Sequence, residues 1–118
     1  MAKHVEVHKL TNPSGEVAVL RLLDKKITSL ELSEKIGAEF GELLDEGHTR
    51  LVISFVHVQM HTSPLLNVWL KLKEKLNAKT GALRMCDMNP TIRDVYKSTG
   101  LDKVFAIYTT EKEALVDF

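Results

Sequence analysis

Cysteine is all but missing from this chain. Cys86 stands alone among 118 residues, so no intrachain disulfide can brace the fold, and a reducing cytoplasm suits it. A surplus of either charge is missing too, since 16 Lys and Arg balance 16 Asp and Glu. That argues against direct nucleic-acid binding, which needs a basic excess, and against a basic helix lying on a membrane. No run reaches the ~18 apolar residues of a membrane-spanning helix. The first residues, Met1-Ala-Lys-His-Val, lack the apolar stretch of a signal peptide. Phosphate loops are absent, with neither GxGxxG nor GxxxxGK[ST] present. So are HExxH, paired CxxC and any ordered Ser-His-Asp set. These absences predict a protein that is not an enzyme and carries no cofactor or metal.

What is present is organised around residues 51–70. Residues 51–58, LVISFVHV, are mostly apolar or β-branched and lack Gly and Pro. They predict a strand buried on both faces, inside a parallel sheet. Residues 64–76 carry apolar side chains at 65, 66, 68, 69, 70, 72 and 76, with charges at 71, 73, 74 and 75. That is a helix with a broad buried face. Ser63-Pro64 joins the two: Ser is a favoured N-cap and Pro a favoured first helical residue. The end of the strand and the start of the helix therefore meet near Ser63, at the edge where α/β sheets handle ligands.

The rest of the chain fits one α/β domain spanning residues 1–118. Residues 4–9 alternate as an edge or half-exposed strand, Asn12-Pro-Ser-Gly15 is a turn, and residues 16–23 form a second strand, together an antiparallel hairpin. Thr28 and Glu31 have capping-box spacing, so a helix is expected from residue 29, with Gly47 as its C′ residue. Gly37 and Gly41 within it suggest close approach to another element. Further on come a strand over 82–87, a helix opened by Asn89-Pro90 with Ile92, Val95 and Tyr96 inward, and a strand over 104–108. A last helix is capped by Thr110 and Glu113, with Ala114, Leu115 and Phe118 apolar. The order β-β-α-β-α-β-α-β-α implies a mixed, mostly parallel sheet with an N-terminal antiparallel strand and about four helices packed on it.

Few residues invite chemistry. His57 and His61 are four apart, but on a strand and its loop that spacing loses its metal-binding sense. They read as solvent-facing or locally hydrogen-bonded. Cys86 in an apolar strand reads as packing, and Trp69 as core or groove. Ser63 keeps two readings. It caps a helix, or it accepts a phosphate that would lie against the helix dipole.

Residues 17–22 (VAVLRL), 43–47 (LLDEG), 50–53 (RLVI), 83–105 (LRMCDMNPTIRDVYKSTGLDKVF) and 110–115 (TEKEAL) resemble the STAS domain. This is the domain shared by sulfate transporters and bacterial anti-sigma factor antagonists. The run IRxVxxxTGLDxxF over 92–105 carries most of that likeness. The resemblance implies a regulatory module whose partner is an anti-sigma factor serine kinase or another signalling protein. Some relatives sense a nucleotide or a lipid, and such a sensor or a non-phosphorylated signalling scaffold is the alternative. In the antagonists an Asp-Ser-Ser/Thr-Gly motif precedes the helix, and its first Ser is phosphorylated. Here the motif falls on Thr62, Ser63, Pro64 and Leu65, so only the phosphoacceptor, Ser63, is retained. The resemblance thus nominates Ser63 for phosphorylation, and Thr62, Pro64, Leu65 and Leu66 for partner contact.

Overall fold

In the computed structural model, residues 3–13 and 15–118 are described. Strands β1 (Val5–Asn12) and β2 (Gly15–Leu22) form the antiparallel hairpin, with Val5 opposite Leu22 and Asn12 opposite Gly15. Ser14, in the expected turn, lies outside the described residues. After the two-residue strand β3 (Lys26–Ile27) come α1 (Leu30–Asp45) and β4 (Arg50–Ser54). A second two-residue strand, β5 (Met60–His61), precedes α2 (Ser63–Ala78) and β6 (Ala82–Cys86). The chain continues with α3 (Pro90–Ser98), a 3-10 turn at Leu101–Lys103, β7 (Ala106–Tyr108) and α4 (Glu111–Leu115).

The main sheet runs β1-β2-β4-β6-β7, and every neighbour pair after the hairpin is parallel. Each crossover steps the same way across the sheet. Right-handed connection then puts α1, α2 and α3 on one face. Their buried side chains, among them Ile36, Phe40, Trp69, Leu76, Ile92 and Tyr96, pack on Leu20, Leu22, Leu51, Ile53 and Met85. The opposite face is covered by the end of the chain, where Ala114 and Phe118 meet Val17, Val19, Val52 and Cys86. Arg84 fastens this cover: its Nη1 donates to the carbonyls of Ala114 (3.0 Å) and Val116 (2.7 Å), and its guanidinium lies over the Phe118 ring. Because strand order never reverses, the sheet has no switch-point crevice of the doubly wound kind.

The expected interior strand is there, with residues 51–54 wholly buried between β2 and β6. It is shorter than residues 51–58. Phe55 N–H makes a last bond to Cys86 C=O, and Val58 N–H then closes a turn on Phe55 C=O (3.0 Å). Phe55 and Val58 go into the core while Val56 and His57 face solvent, a pattern that alternation in a strand cannot deliver. The cap of α1 is Ser29, not Thr28, since its hydroxyl accepts from Leu32 N–H at 3.0 Å. Gly47 does close α1 at positive φ, with N–H to Leu44 C=O and His48 N–H to Leu43 C=O. Within the helices Val95 and Leu70 point outward, not inward. The expected strand over 104–108 is reduced to β7, because Gly100 at φ 77° turns the chain into the 3-10 segment that seats Phe105 in the core.

Gly37 meets α2 closely, its missing Cβ standing 3.3 Å from Val68, whereas Gly41 faces open space. Gly81 is the tightest site. A Cβ there would fall 2.5 Å from Thr49 O and 2.8 Å from Leu76 Cδ2, where Gly81 and Ala82 N–H bond to Leu76 and Thr49. Gly81→Ala is expected to destabilise the fold by about 2 kcal/mol, as overpacking does. Urea unfolding checks it, with Gly41→Ala as a partner variant that should stabilise α1 through helix propensity.

Candidate functional site

Ser63 lies where two loops are zipped together. β3 and β5 pair in parallel, Lys26 opposite Met60 and Ile27 opposite His61. Gln59 N–H donates to Lys25 C=O (2.7 Å) and Thr62 N–H to Ile27 C=O (3.0 Å). The loop after β2 is thereby joined to the loop after β4, at the C-terminal ends of both strands. Asn89 adds a second tie. Its Nδ2 donates to Gln59 C=O (2.9 Å) while its Oδ1 caps α3 by accepting from Ile92 N–H (2.8 Å). Neither two-residue strand was anticipated from sequence, since two residues are too few to show a period.

Beneath Ser63 runs a buried polar chain. Trp69 Nε1 donates to the Tyr96 hydroxyl oxygen at 2.9 Å. His61 Nδ1 lies 3.1 Å from Thr62 C=O, a group that only accepts, so Nδ1 carries the proton. His61 Nε2 then accepts from the Tyr96 hydroxyl at 2.9 Å. Phe55 closes the cluster with edge-on contacts to Trp69 and Tyr96. Burial holds the His61 pKa below the ordinary histidine value, partly offset by the Thr62 carbonyl. Burial likewise pushes the Tyr96 phenol upward. His61 is therefore locally hydrogen-bonded and His57 exposed, as read from sequence. Among the described residues no group of three or more His, Cys, Asp or Glu could hold a metal ion.

The cap differs from the expectation. Thr62, not Ser63, is the N-cap residue of α2, and Ser63 is its first helical residue. Leu65 N–H bonds to Thr62 C=O (3.2 Å), but the Thr62 hydroxyl makes no cap bond and is buried without a partner. Ser63 is exposed, and Pro64 follows it without an N–H. Leu65 is corrected as a contact residue: it is fully buried, and Leu66 is half-buried against the core. The exposed apolar side chains at this edge are others. Leu23, Leu30, Val56 and Met60 all stand on segments joined by the β3–β5 pairing, with Val56 53% and Leu30 61% exposed. Sequence reading missed Leu23 and Val56 because their runs are mostly buried, and Leu30 and Met60 because a single apolar residue at a helix start or in a short connection shows no period.

On the α4 side of this edge a hollow of about 480 Å³ is bordered by Arg21, Val56, His57, Asp87 and Glu111. Arg21, Glu111 and Asp87 on its border are already engaged. Arg21 grips Glu111 through Nε (3.2 Å) and Nη2 (3.1 Å), and Asp87 accepts from the Ser54 hydroxyl (2.9 Å). Cys86 is buried beside Asp87, and burial drives its thiol pKa upward, as suits a packing residue.

The STAS domain family model matches residues 19–114. BtrV of Bordetella bronchiseptica, named as a proposed anti-sigma factor antagonist, is 26% identical over 110 residues, covering 93% of this chain and 94% of BtrV. An anti-sigma factor antagonist from Mycobacterium paratuberculosis has a similar structure, with TM-score 0.76 and 24% identity over 95% of this chain and 92% of its own. The Bacillus cell fate determinant SpoIIAA in its phosphorylated form superposes with TM-score 0.67 at 23% identity, covering 95% and 96% of the two chains.

With Thr62 as the cap, Ser63→Ala is expected to change stability by no more than about 0.5 kcal/mol. Thr62→Val should be neutral or stabilising by up to about 1 kcal/mol, because it removes a buried hydroxyl that has no partner. Thermal unfolding of both variants checks this. The His61 shift has a pH consequence. Its folded pKa is below the unfolded value near ~6.5, so the unfolded chain binds the extra proton. This stability is present above that pH and is lost as pH falls through the folded pKa. Between about pH 7 and about pH 5 wild type should lose more stability than His61→Gln, whose amide oxygen can accept from Tyr96 without titrating. Urea unfolding at the two pH values reads the difference.

Proposed function

The chain belongs to the STAS domain family, and from that premise we propose that it is a non-enzymatic regulatory module that binds an anti-sigma factor serine kinase or a similar signalling protein. The observation that supports this most is the edge around Ser63. It combines an exposed hydroxyl with exposed apolar side chains on loops pinned by backbone pairing. Apolar side chains held rigidly at a surface are what a protein partner buries with little ordering cost.

Ser63 is the proposed phosphoacceptor. The retained serine of the antagonist motif and the likeness to SpoIIAA in its phosphorylated form support this assignment. Thr62 and Pro64 replace an acid and a hydroxyl of that motif, and Pro64 withholds one N–H from an incoming phosphate. Recognition by the kinase would then rest on the apolar rim more than on groups beside the serine.

Incubation with ATP and an anti-sigma serine kinase should label the protein at Ser63, read by mass spectrometry, and leave Ser63→Ala unlabelled. Titration calorimetry against the same kinase should show Val56→Asp and Met60→Asp binding at least about tenfold more weakly, the loss expected of an interface anchor. Ser63→Asp should bind weakly with its unfolding transition unchanged. Tight binding by all these variants would refute this edge as the partner surface. Tight wild-type binding without labelling would leave a scaffold in place of a switch.

A further inference from the structure

β1 is an edge strand of eight residues with no strand among the described residues paired to its outer side, whereas β7 at the opposite edge has three residues. Its hydrogen-bond phase can be fixed. Leu23 N–H donates to His4 C=O, in line with the register that pairs Val5 with Leu22. Antiparallel bonding alternates, so Glu6, His8 and Leu10 bond inward to β2 while Val5, Val7, Lys9 and Thr11 direct N–H and C=O outward. At one end this edge is closed: the Glu39 carboxylate accepts from His4 N–H (3.0 Å) and Val5 N–H (3.3 Å). Among the described residues nothing occupies the outward groups of Val7, Lys9 and Thr11. Beside them lies a hollow of about 200 Å³, bordered by Lys3, by Val5, Val7 and Lys9 on β1, and by three carboxylates of α1 and its C-cap, Glu39, Glu42 and Glu46, which outnumber the two lysines.

We propose that β1 pairs with β1 of a second copy of this chain, antiparallel, about a two-fold axis normal to the sheet at His8. Such an axis keeps every side chain on its own face, so only registers centred on a residue are possible. Centring on Lys9 sets Lys9 against Lys9, a like-charge pair. Glu39 already holds the Val5 N–H in either remaining register, so centring on Val7 forms four bonds within β1, whereas centring on His8 forms six. Centring on His8 lets Val7 exchange both backbone bonds with the partner's Lys9, twice over, and lets Thr11 N–H reach the partner's Val5 C=O.

That register also matches charge. The partner's Lys9 lies against Val7, at the hollow, where its stem covers apolar surface and its ammonium meets the Glu42 and Glu46 side of α1. Lys9 and Glu42 have no ion pair within the described chain. The chain's zero net charge sets up no overall repulsion between copies. The result is a continuous ten-stranded sheet with α1, α2 and α3 of both copies on one face. Because the two β1 strands run oppositely, the two Ser63 edges fall at opposite ends and both stay open to partners. An interface confined to one strand and its hollow falls in the weak class, so association should be reversible at micromolar concentrations.

Sedimentation of the full chain across a concentration series tests this. A monomer–dimer equilibrium is expected, with Lys9→Glu shifting the dissociation constant upward on the order of tenfold. Purely monomeric behaviour up to several hundred micromolar overturns the proposal, as does a dimer unaffected by Lys9→Glu. Register is read by cross-linking, since Cys86 is buried and does not compete. His8→Cys should form a disulfide-linked dimer under mild oxidation, because facing residues at the axis have the ~4.5 Å Cα separation that a disulfide accepts. Faster cross-linking of Val7→Cys or Lys9→Cys overturns the assigned register.

Discussion

A buried indole N–H has to be given an acceptor, and the way this chain does so governs much of its architecture. Trp69 fills the space between α1 and the sheet and has no access to water. Leaving its donor unpaired would cost about 1–3 kcal/mol. The Tyr96 hydroxyl accepts it, which fixes how α3 sits against α2. That hydroxyl then needs its own acceptor, and His61 supplies one from β5. His61 is in turn oriented by Thr62 C=O, the carbonyl at the helix cap. One donor's requirement thus runs from the middle of α2 through α3 and back to the start of α2. The first turn of that helix is positioned from below as well as by the β3–β5 pairing, so Ser63 is presented by a rigid support.

Sequence and structure agree where a pattern is long and disagree where the deciding contact is one bond. The mostly apolar run that opens at residue 51 marked an interior strand, and the period of α1 set its buried face. Asn89-Pro90 and Thr110 behaved as caps because their hydroxyl or amide found the expected N–H. Ser63-Pro64 has the same grammar but is offset by one residue. The Thr62 N–H bond to Ile27 holds Thr62 in the extended conformation, so the helix begins one residue early. That bond depends on β3, a pairing of two residues from distant parts of the chain, and nothing local in the sequence encodes it. Val56 was misplaced for a similar reason. A run of apolar letters does not say where a strand stops, and the turn at residues 55–58 exposes Val56 and His57 while burying Phe55 and Val58.

The family assignment was legible for a different reason. The run over 92–105 combines an amphipathic turn, Gly100 at positive φ and Leu101 leading into a 3-10 segment that seats Phe105. Those are constraints of conformation and packing, so they mark the fold. On the proposed function the residues beside Ser63 would answer to a partner instead, and there the chain departs from the antagonist motif. Fold and function are written in different residues, and identity in the first does not transfer the second.

The position of Ser63 also decides how a phosphate there would act. As the first helical residue, Ser63 would place a dianion against the positive end of α2. Such placement favours the helix by ~0.3–1 kcal/mol near a surface. The fold would therefore tolerate the modification and gain slightly from it. The cost appears only when a partner covers the edge. Burying a charge against apolar side chains such as Val56 and Met60 costs several kcal/mol when no counter-charge or hydrogen bond replaces the lost water. The second effect exceeds the first by several-fold. A switch at this position would work by excluding the partner from an unchanged structure, and the rigidity that the Trp69–Tyr96–His61 chain gives the edge is what keeps the two effects separate.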